Sequence, residues 1–187
     1  AAFSFYPSKN LGAYGDAGEI VTKHQDLAKN CRLIADRGQE TRNVHLREGR
    51  NSRMDTLQAA ILLVKLKYLE DWTTSRIEKA KYYNEQLDGL PIELPIIEDN
   101  HRHVFHIYAI QINDRDMLKN KLAVKGVKTQ IHNPKSLPEL APYQKDFNAN
   151  DYPVAKSLAA TTLSLPLFPE ITREQQDYVI KVLKEMI

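Results

Sequence analysis

Apolar residues recur along this chain at spacings that predict alternating helices and short strands. Over residues 24–35, Leu27, Cys31 and Ile34 fall at helical spacing and predict a helix. Residues 54–72 carry two apolar stripes, Leu57, Ile61, Val64 and Tyr68 on one and Leu62, Leu66 and Leu69 on the other. That stretch reads as one helix wanted on two sides, between domains or subunits. A second helix is expected over 75–87, from Ile77, Ala80, Tyr83 and Leu87, stopping at Asp88-Gly89. β-favouring runs at 3–6 and 19–22 predict short strands. Beyond residue 100, strands at 104–112, 127–131 and 163–167 alternate with helices at 115–125, 153–160 and 172–187. The final helix has Thr172 as its N-cap, with Glu174 and Gln175 close behind. Two stretches have no period. Residues 36–53 are polar, charged and glycine-containing and read as an extended loop, long enough to suggest function or disorder; the segment holding Pro134, Pro138 and Pro142 is a second. No internal repeat or low-complexity segment is present.

Composition narrows the class. A chain of 187 residues forms one domain, or one domain and part of another, and buries roughly two-thirds of its unfolded surface. With 42% hydrophobic and 27% charged residues, long disordered stretches are excluded. The net charge of +2 comes from 26 basic and 24 acidic residues that are interspersed, so neither nucleic acid nor a polybasic membrane surface is expected as a partner. Cys31 is the only cysteine; it cannot form an internal disulfide, points to a reducing, cytoplasmic setting, and reads as a buried structural thiol. No run approaches the roughly 18 apolar residues of a membrane span and no signal peptide opens the chain, so a soluble protein is expected. His101, His103 and His106 tempt a metal reading, but a strand over 104–112 sends His103 and His106 to opposite faces, and no metal site is expected.

The candidate chemistry lies at the start. Phe3 to Tyr6 reads as a strand, Pro7 ends it by withdrawing a backbone donor, and Gly12, Gly15 and Gly18 permit turns closed to residues with a Cβ. Lys9 stands on that corner. The glycine spacing fits neither the P-loop nor the dinucleotide fingerprint, so the glycines read as backbone permission for the turn. A lysine acting through an imine needs an uncharged amine, whereas a free lysine titrates at about 10.4; desolvation and neighbouring positive charge lower that value.

The run from Ser4 to Gly12 (SFYPSKNLG), followed by Gly15-Asp16-Ala17-Gly18-Glu19-Ile20-Val21-Thr22, resembles the cofactor-lysine segment of the pyridoxal-phosphate (PLP) dependent sugar aminotransferases of the DegT/DnrJ/StrS type. Glu48 to Ala60 (EGRNSRMDTLQAA) is similar to that family's second signature. His103 to Tyr108 and Val127 to Pro134 resemble strands of its C-terminal domain, and Leu163-Ser164-Leu165-Pro166-Leu167 resembles its closing segment. Family members are roughly twice this length. The resemblance therefore implies an α/β fold of fold-type I: a remnant of the large PLP domain over 1–70, with the lysine loop and an interface helix, and the small C-terminal α/β domain over 71–187. The phosphate loop, the aromatic ring over the cofactor and the acidic partner of the pyridine nitrogen would lie in the other half.

The resemblance also implies roles. Lys9 is the catalytic lysine that anchors PLP and shuttles a proton. Ser4 donates a hydroxyl hydrogen bond to the PLP phosphate, and Asn51 reaches the phosphate from the partner subunit, which requires a homodimer with shared active sites. His45 and His132 fall where members contact the sugar nucleotide; Arg53 shares with Asn51 the position of the partner-subunit loop that reaches the cofactor phosphate, and is expected with the two histidines to bind substrate. Without the resemblance, Lys9 and the two histidines read as surface groups, Ser4 as a strand serine, and Asn51, Ser52 or Asp55 as a helix cap. The family commonly has tyrosine where this chain has Asn133, which leaves the detailed sugar contacts open. The implied reaction moves an amino group from glutamate (or glutamine) to a keto sugar on dTDP or UDP in deoxyamino-sugar biosynthesis, with the 50–60 segment and Leu69-Glu70-Asp71-Trp72 closer to 3-keto than 4-keto enzymes. The alternative is a truncated, non-catalytic binding or dimerisation module derived from such an enzyme.

Overall fold

Strand β1 (Ala2–Ser4) pairs antiparallel with β2 (Gly18–Ile20), Phe3 opposite Glu19, in a computed structural model that describes all residues 1–187. The chain divides into two compact units, Ala1–Trp72 and Thr73–Ile187.

In the first unit, helix α1 (Gln25–Ala35) follows β2, as its spacing predicts. The stretch read as an extended loop instead holds a hairpin of β3 (Gln39–Thr41) and β4 (Val44–His45). Strands of two and three residues are too short to show a period, which is why the pattern missed them. Gly38 makes the hairpin possible: its φ is +74°, and a Cβ there would overlap the Arg47 carbonyl. The long helix expected over 54–72 is interrupted. Helix α2 (Thr56–Leu66) closes with Lys67 and Tyr68 donating to the carbonyls three residues back, at 3.4 and 3.0 Å, and α3 (Leu69–Leu87) begins at once. The bend therefore lies at Lys67-Tyr68 rather than at Thr73-Thr74, with no glycine or proline to announce it.

The second unit is built on β5 (Tyr108–Gln111) and β6 (Thr162–Leu165), antiparallel with Ala109 opposite Ser164. Glu93 bridges to Gln111, and Gln130 bridges to Ser164. Helices α4 (Arg115–Val124), α5 (Pro153–Thr161) and α6 (Arg173–Met186) match the expected positions, and α4 packs against α6 and β6. The core joins Ala80, Tyr83 and Leu87 of α3 to Tyr108 and Ile110, Leu163 and Leu165, and Val179, Ile180 and Leu183. Its two buried phenols are satisfied: Tyr83 donates to the Pro166 carbonyl at 3.0 Å and Tyr108 to Asn84 at 2.7 Å.

Two expected strands are shorter than their apolar runs. The 104–112 run is extended only from Tyr108, because Phe105 adopts a left-handed φ of 42° while fully buried. His103 and His106 therefore lie outside any strand, and the opposite-face argument does not apply to them; the His103 ring accepts from the Phe105 N–H at 3.1 Å. The 127–131 run contributes a single bridge, at Gln130. No helix is long and apolar enough to cross a membrane.

Candidate active site

Lys9 sits in a turn that the backbone closes on itself. Its N–H donates to the Tyr6 carbonyl at 2.8 Å, and beyond the turn the Ala13 N–H returns to Phe5 at 2.8 Å. Gly12 is obligatory within this loop, because a Cβ there would run into the Pro7 carbonyl. Lys9 is half-buried, and no ion pair in the chain involves it.

Helix α2 grips the same loop from outside. Gln58 accepts the Tyr14 N–H at 2.8 Å, and its amide nitrogen would lie 3.1 Å from a Cβ on Gly15, a tight contact. Seven residues on, Lys65 donates to the Gly12 carbonyl at 2.5 Å and lies 5.1 Å from the centre of the Tyr14 ring. Sequence reasoning assigned neither residue a role. The seven-residue spacing that puts both on one helix face was the available signal.

Ser4 ends β1, exposed, and its hydroxyl accepts the Tyr6 N–H at 3.3 Å. The hydroxyl proton remains available to another acceptor. Asn51 is exposed and bridges through its backbone to Asp36, with Arg50 and Ser52 on either side donating to Ile34 and Ala35 at 2.6 and 2.8 Å. The α2 N-cap is Asp55, whose side chain makes no capping bond, so Asn51 is not spent as a cap. Arg53 grips both carboxylate oxygens of Asp36, each at 3.5 Å. His45 meets the Arg37 carbonyl through Nδ1 at 2.9 Å. A carbonyl only accepts, so Nδ1 carries the proton and Nε2 of the neutral ring is an acceptor. Ser4, Lys9, His45, Asn51 and Arg53 thus belong to the first unit. A recess of about 740 Å³ there is lined by Phe3, Ile20, Cys31 and Arg53, among others, but not by Lys9. Cys31 is half-buried on that recess rather than sealed in a core.

His132 belongs to the second unit, where Nδ1 lies 2.8 Å from the Ser164 hydroxyl. Asn133 after it has a left-handed φ of 52°. Asparagine adopts that conformation more readily than most residues with a Cβ.

Residues 1–184 match the DegT/DnrJ/EryC1/StrS aminotransferase family. The chain belongs to that family. The erythromycin biosynthesis sensory transduction protein EryC1 of Saccharopolyspora erythraea is 42% identical over 187 residues, covering 98% of this chain and 51% of its own. The dTDP-3-amino-3,4,6-trideoxy-alpha-D-glucose transaminase of Streptomyces venezuelae is 36% identical, over 99% of this chain and 49% of its own. The crystal structure of S. venezuelae DesV superposes with a TM-score of 0.94 at 36% identity, over 99% of this chain and 50% of that one. The fold is that of the sugar aminotransferases over the matched half, and the chain spans about half the length of the relatives it matches.

Members of the DegT/DnrJ/EryC1/StrS family work with PLP. The residues present suit that group. An amine free of carboxylate partners stands on a corner whose backbone excludes a Cβ at Gly12, and a hydroxyl that accepts from Tyr6 keeps its own proton for a phosphate oxygen.

Proposed function

We propose that the protein to which this chain belongs transfers an amino group from glutamate to a keto sugar carried on dTDP or UDP, in the making of deoxyamino sugars. The observation that carries the reading is Lys9: half-buried, outside every ion pair, and on a turn that tolerates no side chain at Gly12. Relatives named as transaminases of dTDP- and UDP-linked sugars support the substrate class. Several of those names place the nitrogen at carbon 3, in line with the 3-keto branch.

Bound PLP would supply an electron sink beside the carbon that loses its proton. This chain supplies the rest of its half. Lys9 would hold the group through Nζ, and the same nitrogen would take up and return the proton that moves between carbons. Ser4 donates its hydroxyl proton to the phosphate. Asn51 reaches the phosphate of the neighbouring protomer, so a homodimer shares its sites. His45, with Nε2 accepting, Arg53 and His132 face the sugar nucleotide. Arg53 can serve there only while keeping, or after leaving, its grip on Asp36. Residues 1–70 are read as part of the cofactor domain and 71–187 as the small C-terminal domain.

The alternative reading is a non-catalytic binding or dimerisation module derived from such an enzyme. The two separate on mixing the PLP-treated chain with L-glutamate. Stoichiometric 2-oxoglutarate, lost in Lys9→Ala, supports the aminotransferase; cofactor uptake at Lys9 without 2-oxoglutarate supports the module. Equal 2-oxoglutarate from Lys9→Ala removes the assignment of Lys9.

A further inference from the structure

We propose that Gln58 and Lys65 of α2 are positioning residues for Lys9, a clamp that holds its loop at a fixed height over the helix. The inference rests on the reading of Lys9 above. The loop from Pro7 to Gly18 is tied through Phe5, which follows β1: the Phe5 N–H donates to the Ala17 carbonyl at 2.9 Å and the Phe5 carbonyl accepts the Ala13 N–H at 2.8 Å. Both lie on the strand side. On the side facing α2 two side chains hold the loop: Gln58 through the Tyr14 N–H, and Lys65 through the Gly12 carbonyl. Each tie takes a backbone group that the loop's own geometry leaves over, which matters because unpaired backbone groups in half-buried loops are costly.

The chemistry of the two residues is not interchangeable. Gln58 serves as an acceptor at Tyr14, and its amide nitrogen would stand 3.1 Å from a Cβ on Gly15, a tight contact that the Gln58 side chain would have to ease. Lys65 is a half-buried cation with a carbonyl and an aromatic ring as its partners and no carboxylate, so its charge is not cancelled. The clamp thus combines a short neutral tie at Tyr14 with a charged tie three residues from Lys9, on one rigid helix face. An amine that must swing between a covalent tether and proton transfer gains from a loop that does not move with it.

The test compares wild type with Gln58→Ala, Lys65→Met and Lys65→Arg in the chain as it exists. Two quantities are read: hydrogen exchange of the Tyr14 amide without cofactor, and the yield of pyridoxyl label on Lys9 after PLP at limiting concentration and borohydride. Gln58→Ala speeds Tyr14 exchange by about fivefold or more, the worth of one hydrogen bond, while exchange in β5 and β6 stays unchanged. Lys9 labelling falls at least about threefold in Gln58→Ala and Lys65→Met, and Lys65→Arg restores it, because a guanidinium keeps both the donor and the charge. Restoration by arginine is not expected of a residue that merely stabilises packing. Labelling equal to wild type in both Gln58→Ala and Lys65→Met overturns the clamp. A wild-type chain that takes label on other lysines but not Lys9 overturns instead the reading of Lys9 on which the clamp depends.

Discussion

Lys9 was legible from its neighbours and not from itself. A lysine between a strand-ending proline and three glycines suggests a presented amine, and the loop closure at Tyr6 and Gly12 gives that suggestion a geometry. The ties that fix the other candidates were not legible, because each partner is remote in sequence or is a backbone group: Asp36 for Arg53, the Arg37 carbonyl for His45, Ser164 for His132. Gln58 and Lys65 were passed over because their helix showed only an apolar pattern of interest. Glycine makes the clearest prediction at this scale. Gly38 and Gly126 both have positive φ, +74° and +79°, but a Cβ on Gly126 meets nothing within 4 Å, whereas one on Gly38 overlaps the Arg47 carbonyl. Gly126→Ala should therefore cost only the left-handed penalty, about 1–2 kcal/mol, with the fold intact. Gly38→Ala should also break the Leu46-to-Gly38 hydrogen bond of 2.8 Å, seen as rapid exchange at Leu46. Equal, small effects at the two sites would contradict the steric account.

Elements were read well where one face decides them. Helix α6 follows a clear stripe, and its N-terminus is closed reciprocally, Gln175 N–H to the Thr172 hydroxyl at 3.2 Å and Thr172 N–H to the Gln175 side chain at 2.9 Å. Reading failed where tertiary packing overrode the local pattern. Phe105 turns left-handed because its ring is fully buried and Arg76 takes its carbonyl at 3.3 Å, and β6 is buried along Leu163, Ser164 and Leu165 alike, with no alternation to set its ends. The proline-rich loop holds a short 3-10 turn (Leu137–Glu139) closed by Glu139, which accepts from the Ser136 hydroxyl and N–H at 2.7 and 2.8 Å. The hydroxyl bond first, and then the backbone bond, hold the Glu139 carboxyl below its ordinary value. A depressed folded pKa means the contribution is complete above the ordinary carboxylate range and is lost as pH falls through the depressed value. The Ser136 amide resonance should therefore move on acidification with a midpoint below that of a free glutamate, and Glu139→Gln should abolish the titration. A midpoint at or above the free value would contradict the assignment.

At the scale of the molecule, the two units differ in how much they bury. The first has three buried apolar residues, Ala13, Leu33 and Leu62, while the core cluster lies wholly in the second. Phe3, Ile20, Leu57 and Leu63 are each more than half exposed. Leu163→Ala, at 0% exposure, should cost about 2–5 kcal/mol of unfolding free energy. Leu63→Ala, 66% exposed, should fall within about 0.5 kcal/mol; comparable losses in urea titrations would contradict this division. The central claim concerns one nitrogen atom, and one measurement reaches it directly: borohydride reduction of the chain with PLP, then peptide mass spectrometry to locate the added pyridoxyl phosphate. The account predicts the label on Lys9 in preference to exposed lysines such as Lys23, Lys67 and Lys81. A label spread over those lysines with Lys9 unmodified would contradict it.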